Sequence, residues 1–342
     1  MTTREPGSSS ALAIVITVLT LAPIVAAGQG ATTRVAKGAS RSTVPRTPWG
    51  HPDLQGVWSN ATTTPLERPS DLSGKEVLSD EEVARLNREV LARRNTDQAP
   101  QQGDPGTYNE FWWERGNLLK QTALIVDPAD GRVPALTPEG QRKVAARAQA
   151  LKGRGPSDSW EDHNLHERCI LYHGVPPLPT GYNNNYQIAQ TPQYVAIRYE
   201  MLSETRLIPL DGRPHLDPKI QLWMGDPRGH WEGETLVVET TNFNAAAGGL
   251  YELGAVTPLQ GTGETTRIVE RFTRTDANTI DYRFTVDDST IFTKPWTGSI
   301  PLTKFDQKIY EYACHEGNYA MEHILSGARA VEARSNSSKT NK

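Results

Sequence analysis

Thr279-Ile280-Asp281-Tyr282-Arg283-Phe284-Thr285-Val286-Asp287 is the stretch whose reading decides the fold of this chain. Ile280, Tyr282, Phe284 and Val286 alternate strictly with Asp281, Arg283, Thr285 and Asp287. Only an extended strand turns that period into one dry face and one wet face. Just upstream, Thr275-Asp276-Ala277-Asn278 has turn chemistry, so Arg267 to Val286 reads as an antiparallel hairpin.

Working outward, further short apolar or β-branched runs cover Tyr186 to Gln190, Tyr194 to Glu200, Arg206 to Leu210, Thr235 to Thr241, Ile291 to Thr297 and Ile309 to Cys314. Ahead of Thr235, the dipeptides Asp226-Pro227, Arg228-Gly229 and Glu232-Gly233 read as turns within a Trp223 to Phe243 hairpin. Successive strands joined by short links predict an antiparallel meander over 181–329. The fold class is mainly β (α+β overall), a lipocalin-like β-barrel with room for one small ligand, and a two-sheet sandwich is the alternative closure.

The region before it, 47–180, reads as helices and loops packing on the barrel. Ser79 and Glu82 form a capping box that opens a helix running to about Arg94, and Thr137-Pro138 opens a second that Gly153 terminates. Ala123 to Val126 followed by Asp127-Pro128-Ala129-Asp130-Gly131 is a strand and turn. Trp49 to Trp58 is an anchor segment, and Phe111-Trp112-Trp113 an aromatic cluster packing beneath a long connection.

The ends have a different character. Arg4, the apolar run Ala11 to Ile24 and the small residues Val25-Ala26-Ala27 predict a signal peptide over 1–27, cleaved after Ala27. A small, polar lead-in over 28–46 and a polar tail over 330–342 are expected to be disordered. Export to the periplasm or the exterior follows, without stable membrane insertion after cleavage. In that oxidising setting the only two cysteines, Cys169 and Cys314, are most simply one disulfide. Net charge is −4 with Lys and Arg dispersed, so the basic stripe of a nucleic-acid binder is missing.

Several long motifs also carry a resemblance. Thr122 to Glu139, Tyr182-Asn183-Asn184-Asn185-Tyr186-Gln187-Ile188, the Trp223 to Phe243 stretch, Pro295-Trp296-Thr297 and Tyr310 to Asn318, in that order, resemble a family of exported bacterial proteins with no assigned activity. The resemblance covers nearly all of the chain after the leader. It implies export and a shared fold, and brings no reaction with it.

Three constellations are candidates for chemistry. His163, His166, Cys169 and His173 would share one face of a helix and suit zinc, but a disulfide removes the thiolate, and no metal or other cofactor is expected. His315 and Glu316 beside Cys314 form an acid–base candidate at the barrel mouth, with His230 and Asp226 as partners from the hairpin. Trp231 and Arg228, with Tyr182, Asn184 and Trp296, offer rings, an amide and a cation to a ligand. Each group also has a plain reading: Asp226 and Arg228 as a local turn pair, and the Asn run as loop chemistry. Gly-rich phosphate loops, Gly-x-Ser-x-Gly, His-Glu-x-x-His and Cys-x-x-Cys are all absent, which sets aside nucleotide enzymes, ordinary α/β hydrolases and common zinc peptidases. The expectation is an exported β-barrel that binds a small aromatic or amphipathic molecule. The alternatives are a cofactor-free hydrolase, lyase or isomerase on the same barrel, and a structural envelope protein.

Overall fold

The hairpin at the centre of the sequence reading forms as expected. In the computed structural model, which describes residues 44–93, 95, 97, 109–245 and 263–340, β8 (Arg267–Arg274) and β9 (Thr279–Asp287) pair in register from Arg267↔Asp287 to Arg274↔Ile280. Ile280, Tyr282, Phe284 and Val286 are completely buried, as their alternation demands. The remaining strands are β1 (Gly56–Ser59), β2 (Ile125–Asp127), β3 (Asn185–Gln190), β4 (Tyr194–Tyr199), β5 (Thr205–Pro209), β6 (Asp226–Glu232), β7 (Thr235–Thr241) and β10 (Trp296–Lys304). They form one antiparallel sheet in the order β5-β4-β3-β1-β10-β9-β8-β7-β6, with β2 alongside β10. This sheet curls into a nearly closed barrel of nine strands, so the mainly β, barrel reading holds and the sandwich does not.

An odd number of mutually antiparallel strands cannot close with an antiparallel pair. The two edge strands, β5 and β6, therefore run in the same direction, and no ladder of hydrogen bonds joins them among the described residues. Side chains fill the seam instead. A Cβ at Gly229 would fall 2.7 Å from both Ile208 Cγ2 and Leu210 Cδ2, so the bare main chain of β6 is what lets β5 approach.

Inside, the barrel is packed solid. Trp58, Tyr186, Tyr199, Tyr282, Phe284 and Trp296 are all buried to within 2% of complete exclusion. Phe284 lies flat against β10 at Gly298, where a Cβ would come 2.2 Å from the ring. Outside lie helix α1 (Asp80–Arg93) and helix α2 (Pro138–Ala150). The Ser79 hydroxyl accepts from Glu82 N at 3.2 Å while the Glu82 carboxylate accepts from Ser79 N at 2.9 Å, the reciprocal capping expected from the sequence. Thr137 caps α2 through Gly140 N at 3.0 Å.

Several boundaries differ from expectation. The barrel is not confined to 181–329: the Trp49 to Trp58 anchor supplies β1, which lies between β3 and β10 with Trp58 opposite both Tyr186 and Lys304. Asp226-Pro227 and Arg228-Gly229 are not turns but the body of β6, where Pro227 is tolerated because that strand pairs on one side only. The strand expected over Ile291 to Thr297 begins only at Trp296. The one expected over Ile309 to Cys314 does not form. The stretch read as a disordered tail is helical as far as Thr340, as part of α3 (Ala320–Thr340). The leader 1–27 and all of the lead-in before residue 44 lie outside the described residues.

Candidate functional site

Three segments converge where β3 begins, β4 ends and β5 begins. They are the 200–204 turn, the irregular 164–184 stretch and the C-terminal stretch 305–319. Cys169 and Cys314 form a disulfide between the last two, closing a separation of 145 residues. Tyr310 N donates to Glu200 Oε1 at 3.0 Å, and His166 Nε2 meets the Tyr312 hydroxyl at 3.3 Å. Of the five described non-glycine residues with positive φ, four are here: Cys169, Asn183, Leu202 and Ser203. Each such conformation costs on the order of 1 kcal/mol and persists only where the surroundings impose it, and such strain gathers at functional sites.

Perturbed protonation gathers at the same end. Burial pushes the Glu204 carboxyl up to about 7, although Tyr172 N donates to its Oε1 at 2.8 Å. Its Oε2 is shut off from solvent without a partner. Burial lowers His173 to about 4, against the opposing pull of the Leu178 and Asn183 main chain, and also lowers His166. Glu114 is raised, again by burial, with repulsion from Glu200 adding to it. Such groupings mark candidate sites. For Glu204 the folded value lies above the unfolded one, so its stability contribution is complete below about 4.5 and is lost as pH rises through about 7. Glu204→Gln is therefore expected to come within about 1 kcal/mol of the native protein at pH 5 and to exceed it at pH 8, by up to roughly 3 kcal/mol. Urea unfolding at the two pH values measures this, and an equal gap at both would refute the assignment.

The open space at this end is a cleft of about 380 Å³ lined by Trp160, Glu167, Arg168, Cys169, Ile170, Cys314, His315, Asn318 and Met321. Asn318 Nδ2 donates to Cys314 O at 2.8 Å, tying the floor of the cleft to the disulfide. Arg168 Cζ lies 4.5 Å from the centre of the Trp160 ring, a cation held against an aromatic wall. By contrast the interior pocket between Pro177, Tyr186, Arg206, Glu270, Phe272 and Leu302 holds only about 10 Å³, no more than one water needs. Arg206 and Glu270 form a bidentate ion pair there, to which Tyr282 donates from its hydroxyl at 2.9 Å and Arg206 adds a bond to Thr240 Oγ1 at 3.1 Å. Burial opposes the Arg206 charge, but Glu270 outweighs it and holds the guanidinium protonated; burial likewise raises the Tyr199 and Tyr282 phenols.

The residues singled out from the sequence are divided by this arrangement. His315 lines the cleft and Glu316 follows it, exposed. His230 and Trp231 lie at the opposite end of the barrel. The register places the Glu232 to Thr235 turn beside the β8–β9 turn, and Trp231 stacks on His51 with ring centres 4.8 Å apart. His230 is exposed and bonds Glu232 at 3.1 Å. Asp226 and Arg228 pair at 2.6 Å, as their local reading anticipated, and Asp226 also accepts from His215 Nδ1 at 3.0 Å and Leu216 N at 3.0 Å. That set pins the β5–β6 connection across the seam. The four acid–base candidates thus do not meet.

Asn184 is fully buried, taking Thr180 N at 2.7 Å and giving to Thr180 O at 3.1 Å, so it staples a turn. Tyr182 packs edge-on against Trp113 with centres 5.7 Å apart, and Trp296 is a core wedge between Phe284 and Phe292. His163, His166 and His173 turn to different partners: Glu167 and Ser157, Tyr312, and Leu178 O. Their stretch is a chain of turns rather than a helix, so the shared face that suggested zinc does not exist. Among the described residues no group of three such side chains is placed to hold a metal ion. Trp160, Arg168, Asn318 and Met321 were not singled out beforehand; the one signal pointing to them was the cysteine pair they surround. No family model, curated protein or solved structure matches the chain.

Proposed function

We propose that this chain is an exported β-barrel protein that binds one small aromatic or amphipathic molecule, and that it does so in the cleft at the disulfide-clamped end rather than inside the barrel. The contrast in space carries the reading: about 380 Å³ at the cleft against about 10 Å³ in the interior pocket beside Arg206 and Glu270. Ligand sites start at roughly 300 Å³ and combine apolar walls with a few polar groups. Trp160, Ile170, Met321 and the disulfide supply the walls, and Arg168 and His315 the polar groups. The leader-like first 27 residues, the disulfide and the family resemblance support export. Among the described residues no helix is long and apolar enough to cross a membrane.

An acid–base enzyme would need a second titratable group, such as Glu167 in the same cleft, within hydrogen-bond reach of His315. The binding reading is tested with N-phenyl-1-naphthylamine, a neutral fluorescent amphiphile. One-site binding is expected, weakened roughly tenfold by Trp160→Ala and unchanged by Trp231→Ala. Unaltered affinity in Trp160→Ala would move the site elsewhere.

A further inference from the structure

The polar groups of the cleft are unequal in their commitments. Glu167 has its carboxylate turned back to its own loop, accepting from Asn164 N at 3.1 Å and facing His163 Nδ1 at 3.3 Å. The Asn318 amide is engaged with Cys314 O at 2.8 Å and Cys169 Sγ at 3.4 Å. Arg168 stands apart: it rests on the Trp160 ring, and among the described residues no carboxylate pairs with it. A guanidinium held against an aromatic face keeps its N–H donors at the edge, in the fork that matches a carboxylate. The wall beside it is apolar: Ile170, Met321 and the disulfide.

Resting on the cleft reading above, we propose that the bound molecule is a carboxylic acid, its carboxylate received by Arg168 and its apolar body laid along Trp160, Ile170 and Met321. The acid supplies the counter-charge that no described carboxylate places beside Arg168. His315, exposed and lining the same cleft, offers a second donor.

The test compares 2-naphthoate with its neutral isostere 2-naphthamide by calorimetric titration. The native protein is expected to bind the acid at least about tenfold more tightly, with a preference that shrinks as salt is raised. Arg168→Gln should erase the preference. Equal affinity for the two compounds in the native protein would overturn the acid assignment and leave the cleft reading standing, provided Trp160→Ala still weakens both. A preference that survives Arg168→Gln would overturn the role of Arg168. Absence of binding by either compound would overturn both the acid assignment and the cleft reading.

Discussion

Replacing both Cys169 and Cys314 by Ser is expected to remove about 4–5 kcal/mol of stability and to abolish the cleft. The disulfide closes a separation of 145 residues, and cross-links over long loops restrict the unfolded chain most. The native side of the argument points the same way. Residues 305–319 belong to no strand, and α3 beyond them exposes most of its side chains. The stretch is otherwise tied down by single contacts: Phe305 N to Val57 O at 2.9 Å, Tyr310 N to Glu200 Oε1 at 3.0 Å, and His166 with Tyr312 at 3.3 Å. None of these substitutes for a covalent bond. Urea unfolding of the double variant measures the stability loss, and the naphthylamine titration measures the cleft. A variant that binds the probe as tightly as the native protein would show that the C-terminal stretch stays in place unaided.

The second large effect lies in the barrel centre. Glu270→Ala is expected to destabilise by roughly 3–5 kcal/mol, because Arg206 would be left charged and buried without its partner. Arg206 and Glu270 side chains are 1% and 0% exposed, so water cannot take over. The Tyr282 hydroxyl loses its acceptor in the same step. Replacing the pair together, Arg206→Met with Glu270→Met, should recover most of the loss, since two apolar side chains of similar volume carry no stranded charge. Denaturant midpoints of the single and double variants decide this. A double variant as unstable as Glu270→Ala would mean that the bonds to Tyr199, Tyr282 and Thr240 matter more than the charges.

The sequence made β9 legible because that strand is wet on one face, and the alternation of Tyr282 with Arg283 records it. β7 was legible through its β-branched run. β1 was not: Gly56 to Ser59 is four residues long, and its partners, β3 and β10, are remote in sequence. Ile309 to Cys314 has strand-like composition but finds no edge to join, since β1, β3 and β10 are already paired on both sides. Composition reports suitability for a strand, while the availability of a neighbour is a property of the whole sheet. For the site, compartment chemistry was enough to pair Cys169 with Cys314. It could not single out Arg168, because what distinguishes that arginine is that it rests on Trp160 with no carboxylate pairing with it among the described residues, which is visible only in the fold.

Because no ladder joins β5 to β6 among the described residues, the barrel has a lengthwise slit rather than an unbroken hoop. Arg206 stands on β5, at one lip; Thr240 and Glu270 stand on β7 and β8, behind the other lip. The buried ion pair is therefore a rivet driven through the hollow of the cylinder, and the loop carrying His215 is a strap over the outside. Parting β5 from β6 breaks no ladder of the sheet. All eight ladders of the path can stay intact while the slit gapes, and the charges that such a gap uncovers are those of Arg206 and Glu270.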